Sequence, residues 1–201
     1  MSAKKPKEQR IAEIQKAAIN CFSRKGYHET TMDDIVAESG LTKGGIYWYF
    51  KSKRDIFLSL LDHHIQKETA LIKDTADESI SIRRIIDDLI PASLKVHLKD
   101  KVIMPLFTEM AAEATRDGAM RRKLHSFIEE GVAAIVTLLE RANRRREIKK
   151  LDYRNLSLSL TAFGYGLLLL YDISGRSLPV EEIWRDVGGW LMDVMKSDKK
   201  A

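Results

Sequence analysis

Two short helices joined by one tight turn constrain this chain more than any other feature of its sequence. Thr31 and Asp34 stand three apart at the head of an apolar face formed by Met32, Ile35 and Val36, the spacing at which a hydroxyl and a carboxylate cap a helix N-terminus reciprocally. Gly40 stops that helix, and after Leu41 the chain offers Thr42 as a fresh N-cap for a helix over 43–50. A turn as tight as Ser39, Gly40, Leu41 pushes the second helix outward. Upstream, Ile11, Ile14, Ala18, Cys21 and Phe22 recur at spacings of three and four until Gly26, which predicts a first amphipathic helix. Downstream, Ser52 and Asp55 cap a longer helix carrying Ile56, Phe57, Leu60, Leu61 and His64.

The start of the second short helix is chemically unusual. Thr42, Lys43, Gly44 and Gly45 fill its first turn, where a hydroxyl and an ammonium can meet phosphates or base edges. Two glycines within a helix cost about 1 kcal/mol each relative to alanine, so they call for a reason, and close approach to a groove supplies one. Tyr47, Trp48 and Tyr49 cannot all point inward, so at least one is expected outside, with Ile46 and Phe50 as the core pair. Taken singly, Thr31 is as well explained as a cap, Lys43 and Lys53 as solvated charges, and Lys4, Lys5 and Lys7 as a polar tail. Taken together they favour contact with DNA.

The run TTMDDIVAESGLTKGGIYWYFKSKRD, residues 30–55, resembles the DNA-binding signature of the TetR family of repressors. The resemblance rests on Ile35, Ala37 and Gly40, on Thr42, Lys43 and Gly44, on Tyr47 and Phe50, and on Ser52 and Lys53. It implies that Thr42, Lys43, Gly44 and Gly45 face the major groove, while Thr31, Tyr47, Tyr49 and Lys53 hold phosphates. Trp48, also on the DNA side, stands where the family more often has Tyr or His, and Arg54 where an acidic residue is commoner. Those departures bear on sequence preference. The implied fold is all-α: a three-helix helix-turn-helix DNA-binding domain at 1–52, and a larger helical effector-binding and dimerisation domain at 53–201, joined through the long fourth helix.

Beyond the resemblance, periodicity predicts helices over 80–98, 102–115, 118–148, 153–174 and 180–196, with a polar junction at 73–78. Pro91 and Pro105 are expected to kink or begin helices. Ile183, Trp184, Val187, Leu191 and Val194 make an apolar stripe, and Gly164, Gly166, Gly188 and Gly189 allow helix backbones to approach. With Leu167, these residues are candidates for a homodimer interface; an intramolecular core is the alternative. Met104, Phe107, Met110 and Ala111, together with Phe163, Tyr165 and Tyr171, suit a pocket for an apolar or aromatic effector, although such stripes also serve as plain core.

Charge supports the N-terminal assignment. The 201 residues carry a net +5, and residues 1–60 hold 11 basic against 7 acidic side chains, while the remainder is nearly balanced. No apolar segment follows the basic first ten residues, so no secretory leader is expected. The apolar stretch 162–171, bracketed by Arg154 and Asp172, reads as a buried helix too short for a membrane span, and the protein is expected in the cytoplasm. Cys21, the single cysteine, is expected buried. His63 and His64 are adjacent and diverge on a helix, and no catalytic or cofactor motif occurs, so neither metal, cofactor nor enzyme activity is expected. Arg144, Arg145, Arg146, Lys149 and Lys150 read as solvated charge at a helix end. The function expected is that of a dimeric regulator on a palindromic operator, released by a small molecule. A helical enzyme or carrier with the N-terminal helices as scaffold is the rival, and a ligand-independent activator or nucleoid factor a third reading.

Overall fold

The structure is a computed structural model that describes residues 6–60, 62, 80–99 and 103–196. Leu61, His63, His64, Lys4, Lys5 and the polar junction at 73–78 lie outside the described residues. The chain is all-α, as expected: α1 (Lys7–Glu29), α2 (Met32–Ser39), α3 (Lys43–Tyr49), α4 (53–60), α5 (Ile82–Arg84), a π-helical turn (Ile85–Leu89), α6 (Ile90–Lys99), α7 (Ile103–Ala114), α8 (Gly118–Arg144), α9 (Tyr153–Ile173) and α10 (Val180–Met195). Among the described residues, β-structure is confined to an isolated bridge between Ile148 and Lys196.

The chain forms two compact units, Met1–Gln66 with Pro105–Lys123, and Lys67–Met104 with Leu124–Ala201. Packing therefore groups residues differently from a cut at residue 52. The reason lies in the core of the first unit. Ile14, Ala18, Cys21, Ile35, Ile46, Ile56 and Phe57 are all fully buried, and two of them come from α4. The Phe57 ring meets Phe22 edge-on at 5.5 Å and Tyr27 at 4.4 Å, so α4 completes a cluster that α1 begins. Gly26 breaks α1 with a left-handed φ of 78°, as a glycine near a helix end is suited to do. The next amide, of Tyr27, donates to Glu109 Oε2 at 2.7 Å, and Arg54 donates to Asp117 Oδ1 at 2.7 Å, which brings 105–123 into the same unit.

In the second unit, Pro91 lacks an N–H and its ring would press on the carbonyl four residues back. The helix accommodates it by widening into the π turn, closed by the Ile90 amide on Ile85 O. Helix α10 lies against that turn: Trp184 Nε1 donates to Ile86 O at 2.9 Å, and a Cβ on Gly188 would sit 2.8 Å from Ile86 Cγ2. Helix α8 stops at Arg144, short of the expected 148, because Arg146 turns to φ 59° and the Glu147 amide reaches back to Ala142 O. The Arg144, Arg145, Arg146, Lys149 and Lys150 side chains are exposed.

The reading of the apolar stretch near residue 165 needs correction. Helix α9 is long and apolar enough to cross a membrane by length and composition, and little of that window is buried in the single chain. Leu170 is 56% exposed and Ile173 71%. One face of α9 packs inward and the rest does not, so neither a short helix nor a buried one describes it.

Candidate nucleic-acid interface

The helix pair forms because its caps are local and complete. Thr31 Oγ1 accepts from the Asp34 amide at 3.1 Å, and the Asp34 carboxylate accepts from the Thr31 amide at 2.9 Å, the expected capping box. Lys25 adds an ion pair to Asp34 Oδ1 at 2.5 Å. The Lys25 ammonium first, then the Thr31 amide and hydroxyl, hold the Asp34 carboxyl far below the ordinary carboxylate range. Gly40 ends α2 at φ 66°, and Thr42 Oγ1 caps α3 by accepting from the Gly45 amide at 3.1 Å. The turn is thus specified by residues within three positions of one another.

That geometry presents one side of α3 outward. Ile46 and Phe50 are buried, as the spacing predicts, while Thr42, Lys43 and Gly44 are exposed. Trp48 is 69% exposed and rests edge-on against Tyr49 at 4.6 Å; Tyr47 and Tyr49 are half-buried. Among the described residues, nothing lies within 4 Å of a Cβ built on Gly44, so packing of the chain itself does not demand glycine there. Gly45 differs, since its Cβ would crowd the Thr42 cap at 3.1 Å.

Two charged neighbours were not legible from the motif. Lys43 Nζ pairs with Asp33 Oδ1 at 2.8 Å, and that hydrogen bond raises the lysine pKa above its ordinary value. Lys51, exposed, donates to Tyr47 O at 3.0 Å. Lys51 is found by asking what lies one turn beyond Tyr47, whereas Asp33, ten residues from Lys43 on α2, comes within reach only through the fold.

Lys53 requires a correction. Its ammonium donates to Tyr27 O at 2.7 Å, His28 O at 2.7 Å and Thr30 O at 2.8 Å, and it stands 4.7 Å over the Tyr27 ring. An ammonium has three protons and all three are used. Lys53 ties α4 to the end of α1 and is not poised to hold a phosphate.

The expected interface residues of α9 and α10 divide. Leu167 and Trp184 are buried, the indole bonded to Ile86 O, so they belong to the core of the single chain. Gly164, Val187 and Leu191 are half-buried and Val194 is 60% exposed. The apolar side chains that do face out include Leu169, Leu170, Ile173 and Trp190, which the stripe reading missed because it took the other edge of each helix. Of the expected effector residues, Met104 and Met110 are buried and Phe107, Phe163, Tyr165 and Tyr171 half-buried. Phe107 and Met110 fall in the first unit, the others in the second. Within the second unit, Tyr165 packs edge-on to Phe127 at 6.1 Å and Phe163 lies 6.2 Å from Trp184.

Residues 14–60 match the family model described as bacterial regulatory proteins, tetR family. The chain is 27% identical over 207 residues to the uncharacterized HTH-type transcriptional regulator YfiR of Bacillus subtilis, covering 98% of this chain and 97% of that one. It is 27% identical over 199 residues to the HTH-type transcriptional regulator TtgR of Pseudomonas putida, with 88% of each covered. Its fold superposes on the transcriptional regulator FadR from Bacillus subtilis in complex with stearoyl-CoA, with a TM-score of 0.79 at 19% identity over 92% of this chain and 98% of that one. With its helix-turn-helix at α2 and α3, the chain carries over residues 14–60 the DNA-binding region of the bacterial regulatory proteins of the tetR family, and over most of its length it is similar to HTH-type transcriptional regulators.

Proposed function

We propose that the protein is a cytoplasmic repressor, not an enzyme, which grips a palindromic operator as a homodimer and releases it when a small molecule binds the C-terminal helices. One observation carries the reading: Thr42, Lys43, Gly44 and Trp48 are turned outward on a helix whose other side, Ile46 and Phe50, is locked in the core. In this reading Thr42, Lys43, Gly44, Gly45 and Trp48 meet the major groove, and Thr31, Tyr47 and Tyr49 the phosphates on either side. Two such heads related by a twofold axis read half-sites about 34 Å apart or a multiple of it. A dimer seated on a promoter blocks it, which is why repression is the sign proposed.

The dimer is supported by the uncovered apolar face of α9 and α10, where Leu170, Ile173, Trp190 and Val194 are all more than half exposed. A second copy covers that face in a symmetric contact, and this accounts for α9 without a membrane. The effector is supported by the stearoyl-CoA held by the FadR neighbour and by the aromatic side chains of the second unit. Release needs only a differential affinity for the two spacings of the heads, a coupling of about 1–3 kcal/mol.

The test is the double variant Lys43→Ala, Tyr47→Phe. A palindromic site selected from random DNA is expected to be bound at least about thirtyfold more weakly in a gel shift, with melting temperature and dimer mass unchanged. Operator binding equal to that of the wild type would remove α3 as the reading helix.

A further inference from the structure

Three hydroxyl groups stand in line along one face of α9 with no hydrogen-bond partner among the described residues. Tyr153 Oη, Ser157 Oγ and Thr161 Oγ1 are each shut off from solvent and unpaired, and Ser157 as a whole is completely buried. Spaced four apart, the three residues occupy one side of the helix, and their backbone positions span about 12 Å along its axis. The opposite side of the same stretch, with Arg154, Asn155, Ser159 and Ala162, is exposed.

Serine and threonine in a helix ordinarily satisfy themselves by bonding the carbonyl four residues back. Ser159 does so to Asn155 O at 2.8 Å, and Thr137 to Ala133 O at 2.9 Å. Ser157 and Thr161, on the inward face of α9, do not. Their buried hydroxyls are therefore left without the partner that the helix itself ordinarily supplies. Burying a hydroxyl without a partner is unfavourable, and a regular row of such groups is retained where a bound molecule completes it.

We propose that Tyr153, Ser157 and Thr161 form a hydrogen-bonding ladder for an uncharged ring-containing molecule with oxygen functions at its two ends. This rests on the effector reading above and narrows it, from an apolar ligand to one with polar ends. The ligand is uncharged because the ionic groups of that stretch of α9 face outward and are committed elsewhere: Arg154 holds Glu129 through two bonds of 2.9 and 3.0 Å, and Asp152 caps α9 through the Asn155 amide. It contains a ring because the next turn of the same helix brings Tyr165 against Phe127.

The probe is 4,4′-dihydroxybiphenyl, whose hydroxyl oxygens lie about 10 Å apart, close to two helical turns, with biphenyl and stearoyl-CoA as controls. Binding is read by melting temperature and operator release by gel shift, on the wild type and on the triple variant Tyr153→Phe, Ser157→Ala, Thr161→Val. Dihydroxybiphenyl is expected to raise the wild-type melting temperature well above the effect of biphenyl. The triple variant is expected to melt no lower than the wild type, to hold the operator equally well, and to need at least about tenfold more dihydroxybiphenyl for the same shift. The ladder is overturned if biphenyl works as well, if no compound binds, if the variant responds like the wild type, or if it melts lower, which would assign the hydroxyls to buried water and internal packing. Hydroxyl-dependent binding that leaves the operator occupied would keep the ladder and remove ligand-controlled release. Release by stearoyl-CoA or biphenyl with no hydroxyl dependence would do the reverse.

Discussion

Helix α3 and the paired helices α9 and α10 each leave more of themselves uncovered than folding requires, yet the uncovered surfaces have opposite chemistry. On α3 the outward residues are a hydroxyl, an ammonium, a glycine and one indole, from Thr42, Lys43, Gly44 and Trp48. On α9 and α10 they include Leu169, Leu170, Ile173, Trp190 and Val194. A polar, glycine-bearing surface gains little from burial against apolar side chains but much from neutralising phosphates, and that gain is set by counterion release. An apolar surface gains about 25 cal/mol for each Å² it hides, and a standard interface hides about 800 Å² per partner. The comparison teaches that what a helix leaves exposed separates the partners proposed for it, nucleic acid in the first case and a second copy in the other.

The comparison breaks most visibly at the apolar face. Leu170→Glu with Val194→Glu places two carboxylates where side chains of the second copy would meet, at a cost of about 4 kcal/mol or more, since central interface positions dominate association. Sedimentation at micromolar concentration is expected to show monomers with unchanged helical content. Operator affinity is expected to fall at least about a hundredfold, because two heads that no longer share a body lose their effective concentration. A variant that stays dimeric would show that this face has another purpose.

A smaller effect tests where the polar surface ends. Lys53→Met leaves the carbonyls of Tyr27, His28 and Thr30 without their shared donor and should lower the unfolding free energy by about 2 kcal/mol in urea. A phosphate ligand on the surface would instead show unchanged stability and weaker DNA binding.

Lys53 also marks the limit of what the sequence makes legible. The caps at Thr31 and Thr42, the stop at Gly40 and the inward pair Ile46 and Phe50 follow from relations over three or four residues, and the structure has each in place. The partners of Lys53 lie 23 to 26 residues away, and no local rule distinguishes a lysine that closes a helix end from one that waits for DNA. Likewise Leu167 and Trp184 sit on the apolar stripes of α9 and α10, but each helix has apolar residues on two edges, and only the fold says which edge covers Ile86. Pro91 announces a disturbance, whereas the π turn that absorbs it and the need for Gly188 beside it depend on where α10 lies. The Tyr153, Ser157 and Thr161 row is visible as a spacing of four, but its want of partners is not.

At Gly44 stability and function are expected to move in opposite directions. Alanine there meets nothing within 4 Å among the described residues and has the higher helix propensity, so Gly44→Ala should stabilise the fold by up to about 1 kcal/mol. If the glycine is retained for close approach to a groove, the same change should weaken operator binding at least about tenfold. Thermal melts and gel shifts on one preparation decide it, and a variant that gains stability without losing affinity would detach Gly44 from the interface.

The smallest expected effect sharpens the same point at Asp33. The Lys43 to Asp33 pair is largely exposed on both sides, so removing it should leave stability nearly unchanged. Asp33 raises the lysine pKa, and a raised pKa gives a contribution that is complete below the free lysine range near 10.4 and fades only as pH climbs through the higher folded value. At neutral pH, then, Lys43 is charged beside Asp33, and on the proposed reading the operator must win the ammonium from a carboxylate that also repels phosphate. Asp33→Asn should tighten operator binding by about threefold, equally across pH 6 to 9, with the gain shrinking as salt screens the charges. An affinity that falls on this substitution would mean that Asp33 orients Lys43 for its contact rather than competing for it.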